Sequence, residues 1–91
     1  MATVYLIHFE RKYKHAGHYL GYTDNLEERL ERHRAGNGAR LMEVIKKAGI
    51  GWELARTWPG GRALERQLKR RHNSPQLCPI CQREAQDAGD I

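Results

Sequence analysis

Apolar and polar residues follow one another in short blocks whose spacing changes from strand-like to helix-like. Residues 3–9, Thr-Val-Tyr-Leu-Ile-His-Phe, are rich in β-branched and aromatic side chains and predict a strand. Residues 18–22 predict a second, short strand, and the polar stretch 10–17 between them predicts a hairpin loop. A connection this short favours an antiparallel pair. Residues 52–58, bounded by two tryptophans, predict a third strand.

Three segments have the pattern of helices. The first is predicted to begin at a capping box, with Asp24 as its N-cap and Glu27 three residues later, and to end near Ala35. The second is terminated by Gly49 and carries apolar residues at i, i+3, i+4 and i+7. Those apolar positions are Leu41, Val44, Ile45 and Ala48. The third helix is predicted over residues 62–72.

The last part of the chain is predicted to be less regular. Two prolines in residues 73–81 predict an irregular segment, and the polar residues 82–91 predict a frayed tail. The order of elements predicts an α+β domain, in which a small three-stranded antiparallel sheet is covered by about three helices. We expect this domain to occupy residues 1–75, and residues 76–91 to form a Cys-x-x-Cys turn and the tail.

The charge of the chain indicates which class of molecule it could bind. The 91 residues suit one small domain, and a net charge of +5 with a pI near 9.6 favours a polyanion such as nucleic acid. Charge alone is equally compatible with a merely soluble basic protein. No apolar run approaches the length of a membrane span. Two cysteines without an export signal predict the reducing cytoplasm.

Candidate chemistry lies in an ordered set of motifs. Val4-Tyr5-Leu6 comes first, Tyr19-Leu20-Gly21 second, and Arg29 on the first helix follows Tyr19 by ten residues. Glu65 lies on the third helix, beside the stripe of Leu64 and Leu68. In this order the set resembles the GIY-YIG nuclease family, whose Gly-Ile-Tyr signature is degenerate here around Tyr5. The resemblance covers about residues 3–73.

The resemblance implies metal-assisted hydrolysis of a DNA phosphodiester. Glu65 would hold one Mg²⁺ or Mn²⁺, and Arg29 would stabilise charge on the phosphate. Tyr5 would act as general base or position the attacking water, with Tyr19 assisting. His33, one turn after Arg29, matches a histidine of many members and would also assist. A tyrosine base needs nearby positive charge or a relay, because its reference pKa is about 10.

Other residues are assigned with less support from the motifs. The family often has a lysine after its second signature, where this chain has Tyr22. It often has a late asparagine that orients the glutamate or the substrate, for which Asn73 is the nearby candidate. A glycine at position 21 would let a phosphate backbone come close. We predict phosphate contacts from Asn73 and from three basic residues of the third helix, namely Arg66, Lys69 and Arg70.

Each of these residues also has an ordinary structural explanation. Tyr5 and Tyr19 are typical strand residues, and Arg29 could pair with nearby glutamates in solvent. His33 could simply pack against the core. Glu65 could pair with Lys69 at i, i+4. The order and spacing of the whole set favour the catalytic interpretation.

Cys78-Pro79-Ile80-Cys81 raises a separate question. A Cys-x-x-Cys turn supplies half of a zinc site and needs two more ligands. The five histidines of the chain are candidates, but nothing in the sequence selects a pair: they are His8, His15, His18, His33 and His72. The sequence therefore favours a cysteine pair without zinc, either as buried thiols or as a redox-sensitive disulfide.

Two classes of function follow. The first is a small stand-alone DNA endonuclease, structure-selective or of low sequence specificity, acting in DNA repair, recombination or mobile-element processing. It could dock on a DNA-targeting protein partner. The alternative is a catalytically inactive nucleic-acid-binding module of the same fold. A third interpretation is an interaction protein organised by a metal at Cys78 and Cys81.

Overall fold

A three-stranded antiparallel sheet forms the centre of the computed structural model, which describes residues 2–37, 39–71 and 74–83. The strands are β1 (Thr3–Tyr13), β2 (Ala16–Thr23) and β3 (Trp52–Pro59), in the spatial order β2-β1-β3. The helices are α1 (Leu26–Ala35), α2 (Arg40–Lys47), α3 (Arg62–Arg70) and the short α4 (Ser74–Leu77). The α+β class and the three-stranded sheet predicted from the sequence are confirmed.

Side chains of β1 alternate between two buried layers, because successive strand residues point to opposite faces of the sheet. Val4 and Leu6 pack with Leu68 of α3 and with the C-terminal segment. Tyr5 and Ile7 pack on the other face, against α1 and α2. The central strand is therefore covered on both sides, which explains its continuous apolar run.

The hairpin between β1 and β2 is longer than predicted. Strand pairing extends to Tyr13 opposite Ala16, and the turn contains only Lys14 and His15. The predicted loop over residues 10–17 is therefore wrong. Its polar residues lie within the two strands, which an antiparallel sheet permits wherever one face meets solvent. The register shifts between His8 and Tyr13, where the hairpin leaves the core.

Helix α1 begins one residue later than predicted. Asn25, not Asp24, is its N-cap, because the Asn25 Oδ1 accepts a hydrogen bond of 3.2 Å from the Glu28 backbone N–H. The capping pair is thus Asn25 and Glu28, and the prediction of Asp24 with Glu27 is wrong by one position. Gly36 ends the helix with a φ of 81°, which suits glycine.

The C-terminal segment is more regular than predicted. Instead of an irregular stretch, α4 is followed by helical residues at 79–83. The two prolines lie in the first turns of these helices, where a missing backbone N–H removes no intrahelical bond. Cys78 and Ile80 belong to the same buried cluster as Val4, and the boundary predicted at residue 75 stays a prediction.

Some predictions fall outside the described ranges. They concern His72, Asn73 and most of the tail, residues 84–91. Within the described ranges, every helix is too short or too polar to cross a lipid bilayer.

Candidate active site

Two tyrosines and a histidine form a buried aromatic group beneath the sheet face that packs on α1. Tyr5 Oη lies 2.8 Å from Nε2 of His33 in a hydrogen bond, and both side chains are 0% exposed. The Tyr19 ring centroid lies 6.0 Å from that of Tyr5 and 5.4 Å from that of His33. Tyr5 and Tyr19, which the sequence places on two paired strands, therefore lie side by side.

Gly21 makes this arrangement possible. It pairs with Tyr5 across the β1–β2 ladder. A Cβ at position 21 would lie 2.7 Å from Tyr5 Oη and 2.9 Å from Tyr19 Cε1, closer than carbon atoms approach without displacement. The sequence suggested that this glycine admits a phosphate backbone; in the structure the missing side chain admits the two phenol rings.

An open pocket of about 570 Å³ lies beside the aromatic group. Three of the predicted site residues line it: Tyr19 from β2, the half-buried Arg29 from α1, and Glu65 from α3. The remaining lining residues come from the end of β2, from the β2–α1 connection and from α1. They are Tyr22, Thr23, Asp24, Asn25, Glu28 and Arg32. The pocket thus combines phenols, guanidinium groups and carboxylates.

Glu65 is the predicted metal ligand. Its side chain is 14% exposed, and its Oε1 lies 3.4 Å from Nζ of Lys69, whose side chain is 55% exposed. The i, i+4 pairing that the sequence allowed is therefore present. A screened pair of this kind is weak, so a divalent cation can replace the ammonium group. Glu65 shares the pocket with Asp24 and Glu28, which are more exposed. A carboxylate facing an open pocket suits Mg²⁺, which keeps several waters and takes substrate oxygens as ligands.

Burial keeps both members of the Tyr5–His33 pair neutral. Desolvation raises the pKa of Tyr5 well above its usual value of 10.0, and Tyr19 adds to the rise, while the Arg29 charge acts in the opposite direction. Desolvation, with Arg29 as a second cause, lowers the pKa of His33 to about 4. His33 Nδ1 is buried and has no hydrogen-bond partner among the residues that the structure describes. At neutral pH the pair is a phenol bonded to an uncharged imidazole.

His33 lies on the core side of α1. The sequence left open whether it packs against the core or assists beside Arg29, and in the structure its ring lies inward against Tyr5 and Tyr19. Its ring borders a second depression of about 410 Å³, shared with Trp52, and not the pocket that contains Glu65. His33 can therefore reach that pocket only through the tyrosines.

The predicted phosphate-contacting residues are not gathered in the pocket. Arg66, Lys69 and Arg70 are exposed on α3. None of the three is among the described residues that line the pocket. Asn73 lies outside the described residues. Sequence reasoning missed Arg32 and Tyr22 as lining residues. Arg32 follows Arg29 by one helical turn, and that spacing could have identified it.

Fold and pocket together define a small α+β domain with the donor set of a phosphodiester-cleaving enzyme. The family model described as the GIY-YIG catalytic domain matches residues 1–77 of the 91-residue chain. The chain therefore belongs to the GIY-YIG family, a family of nucleases. Comparisons with curated proteins and with solved structures gave no match.

Proposed function

We propose that this protein is a metal-dependent endonuclease that hydrolyses DNA phosphodiester bonds. The observation that carries the proposal is the convergence of Tyr19, Arg29 and Glu65 on one pocket, next to the buried Tyr5–His33 pair. The enzyme acts in the cytoplasm, in DNA repair, recombination or mobile-element processing. It is structure-selective or of low sequence specificity, with any targeting supplied by a partner.

Arg29 binds the scissile phosphate in this proposal. It is half-buried in the pocket wall, so its charge is less screened than that of a surface arginine. A guanidinium group donates two parallel hydrogen bonds to phosphate oxygens and stabilises the charge that accumulates during attack. Arg32 lies one helical turn away in the outer wall of the pocket and donates further hydrogen bonds to the phosphate. In the structure it pairs with Glu28 at 3.0 Å.

Glu65 holds the divalent cation, Mg²⁺ or Mn²⁺. Bound there, the ion would supply Lewis-acid stabilisation of the phosphate and of the leaving oxygen. Glu65 is only 14% exposed and faces the pocket, and its 3.4 Å contact with Lys69 would be exchanged for the cation. Lys69 is then able to contact the DNA backbone.

Tyr19 positions the attacking water, and the Tyr5–His33 pair supports it. We assign the water contact to Tyr19 because its side chain lines the pocket, whereas Tyr5 is fully buried. Tyr5 donates its hydroxyl proton in a hydrogen bond to His33 Nε2 across 2.8 Å, and its ring lies beside that of Tyr19, so the pair fixes the orientation of the phenol that positions the water. Neither buried group has to become charged, which burial disfavours for both.

Nuclease assays on supercoiled, linear and branched DNA test the proposal, each with Mg²⁺, Mn²⁺ or EDTA. We expect metal-dependent cutting that is abolished in Glu65→Gln and reduced about 10²–10³-fold in Arg29→Ala. Glu43→Gln is the matched control, because Glu43 is exposed on α2 in an equivalent i, i+4 pair with Lys47. Tyr13→Phe serves the same purpose for Tyr5→Phe and Tyr19→Phe.

Three other outcomes would count against parts of the proposal. DNA bound at low salt but never cut would favour the inactive nucleic-acid-binding module. Cutting that persists in Glu65→Gln would mean a wrong metal ligand or a contaminating nuclease. Cleavage confined to one chosen sequence by the protein alone would contradict the low sequence specificity.

A further inference from the structure

The Cys-x-x-Cys segment meets two histidines of the β1–β2 hairpin. His8 and His18 are directly opposite each other in the ladder, so their side chains share one face of the sheet. Cys78 and Cys81 approach this face from the helical C-terminal segment. All four candidate ligand atoms lie within 4.8 Å of one another. The partners that the sequence could not select for the cysteines are therefore these two histidines.

The contacts converge on one nitrogen. His8 Nδ1 lies 3.4 Å from His18 Nε2 and 3.5 Å from the Sγ atoms of Cys78 and of Cys81. Cys81 Sγ also lies 3.2 Å from His18 Nε2. A neutral imidazole nitrogen has either one proton or one lone pair, so it cannot form three hydrogen bonds at once. A shared cation at the centre would satisfy all four atoms.

We propose that His8, His18, Cys78 and Cys81 bind one Zn²⁺ ion in a structural site. Tetrahedral zinc with about 2.3 Å to sulfur and about 2.0–2.1 Å to nitrogen separates two nitrogens by ~3.3 Å and a nitrogen and a sulfur by ~3.6 Å. The observed separations are close to these values.

The types of ligand atom and the short distances between them favour zinc over other metals. Two thiolates and two imidazoles around a tetrahedral centre are typical of zinc. A two-iron cluster with this donor set would place the cysteines and the histidines on separate irons, farther apart than they lie here.

Charge is balanced in the loaded site. Each cysteine thiol releases one proton to solvent as its sulfur binds, so one Zn²⁺ replaces two protons and the centre is neutral. Cys78 is 0% exposed and His8 is buried, which leaves the ion largely out of contact with water. Four protein ligands close the coordination sphere, as in structural and not catalytic zinc sites.

The site joins the hairpin to the C-terminal segment. Cys78 and Ile80 already pack in the buried cluster that contains Val4, and zinc would fasten this segment further to β1 and β2. The family match ends at residue 77, so both cysteines lie beyond it. None of the four ligands lines the pocket of Glu65, and the inference does not depend on nuclease activity.

Zinc content and cobalt spectra of the full chain test this site. We expect one zinc per chain after purification without added zinc, and its loss from Cys81→Ser and His18→Ala. His15→Ala is the matched control, because His15 is exposed at the tip of the same hairpin. Co²⁺ replacing the zinc should give the visible bands of tetrahedral cobalt and a thiolate charge-transfer band, and both should persist in Glu65→Gln.

Wild-type protein provides a test that does not depend on the folding of variants. Removing zinc with a strong chelator should lower the Tm by about 10 °C or more, and adding ZnCl₂ back should restore it. Protein without zinc, whose Tm is insensitive to both chelator and ZnCl₂, would overturn the proposal. So would a Cys78–Cys81 disulfide under reducing purification, or cobalt binding without the thiolate band.

Discussion

Gly21 controls how closely the two phenols of the proposed active site, Tyr5 and Tyr19, lie. Because its Cβ would come within 2.7 Å of Tyr5 Oη and 2.9 Å of Tyr19 Cε1, Gly21→Ala must displace both rings. Overpacking of this kind costs about 1–3 kcal/mol of unfolding free energy. A shift of about 1 Å at a catalytic group costs roughly 10²-fold in rate. Denaturant unfolding and the nuclease assay measure the two effects.

Gly17→Ala is the control on the same strand. A Cβ there would meet only the flexible side chain of Lys12, at 3.4 Å. We expect its stability to change by less than about 0.5 kcal/mol and its activity to stay at the wild-type level. Equal effects of the two substitutions would mean that loss of glycine flexibility in β2, and not ring contact, explains the result.

His33 makes stability depend on pH. Its pKa is about 4 in the folded protein and about 6.5 when unfolded, so between these values only the unfolded chain binds the proton. The free energy of unfolding is therefore highest, as far as His33 determines it, above pH 6.5, and it falls as the pH is lowered toward 4. From pH 7 to pH 5 we expect a loss of about 2 kcal/mol from this group.

Denaturant unfolding at pH 7 and pH 5 isolates this contribution. His33→Gln removes the titrating ring while keeping a polar group near Tyr5, so the difference between the two pH values should shrink by about 2 kcal/mol. Other titrating groups are common to both proteins and cancel. His15→Gln, at the exposed turn, should keep the wild-type difference. An undiminished difference in His33→Gln would show that His33 is protonated in the folded state.

Residue patterns identified some site residues better than others. Tyr19, Arg29 and Glu65 were found by motif order, and all three line the pocket. The sequence left open whether His33 packs against the core, because its position on the α1 surface does not fix the tilt of that helix. The histidine partners of Cys78 were equally hidden, since only the hairpin register places His8 opposite His18.

At the scale of elements, the N-cap of α1 separates two neighbouring candidates. Asn25 accepts the Glu28 N–H, so Asn25→Ala should lower the free energy of unfolding by about 1 kcal/mol, within a usual range of about 0.5–2 kcal/mol. Asp24→Ala should change it by less than about 0.5 kcal/mol. Asn25→Ser should restore most of the loss. A larger loss of unfolding free energy in Asp24→Ala than in Asn25→Ala would mean that Asp24 is the N-cap, as the sequence predicted.

Elements with a clear pattern of apolar residues were predicted well, and the polar outer part of the hairpin was not. The apolar spacing of α2 and the two tryptophans of β3 gave nearly correct bounds. The outer hairpin was missed because its strands are polar and pair through backbone groups. The helical residues after Leu77 were missed because proline was taken to interrupt a helix, although it is tolerated in a first turn.

At the scale of the whole molecule, the charge of +5 leaves open which helix follows the DNA backbone. Glu65 and the exposed Arg66 and Arg70 lie on the same helix, α3. A strand whose phosphate reaches Glu65 therefore passes close to α3. We expect Arg66→Ala/Arg70→Ala to weaken binding equally across DNA sequences. Each lost phosphate contact should reduce the slope of log K against log salt by about 1, or about 2 in all.

Fluorescence anisotropy of labelled duplex DNA at several salt concentrations measures this slope, in a Glu65→Gln background that prevents cleavage. Arg40→Ala/Lys47→Ala removes the same charge from α2, on the opposite face of the sheet. This control should weaken binding through the overall field while leaving the slope nearly unchanged. Only direct phosphate contacts release counterions, so the variant that lowers the slope identifies the helix that contacts DNA. If the α3 variant keeps the slope, as the control does, and Arg32→Ala alone reduces it, then DNA follows α1. In that case the phosphate enters the pocket from the side of Arg32.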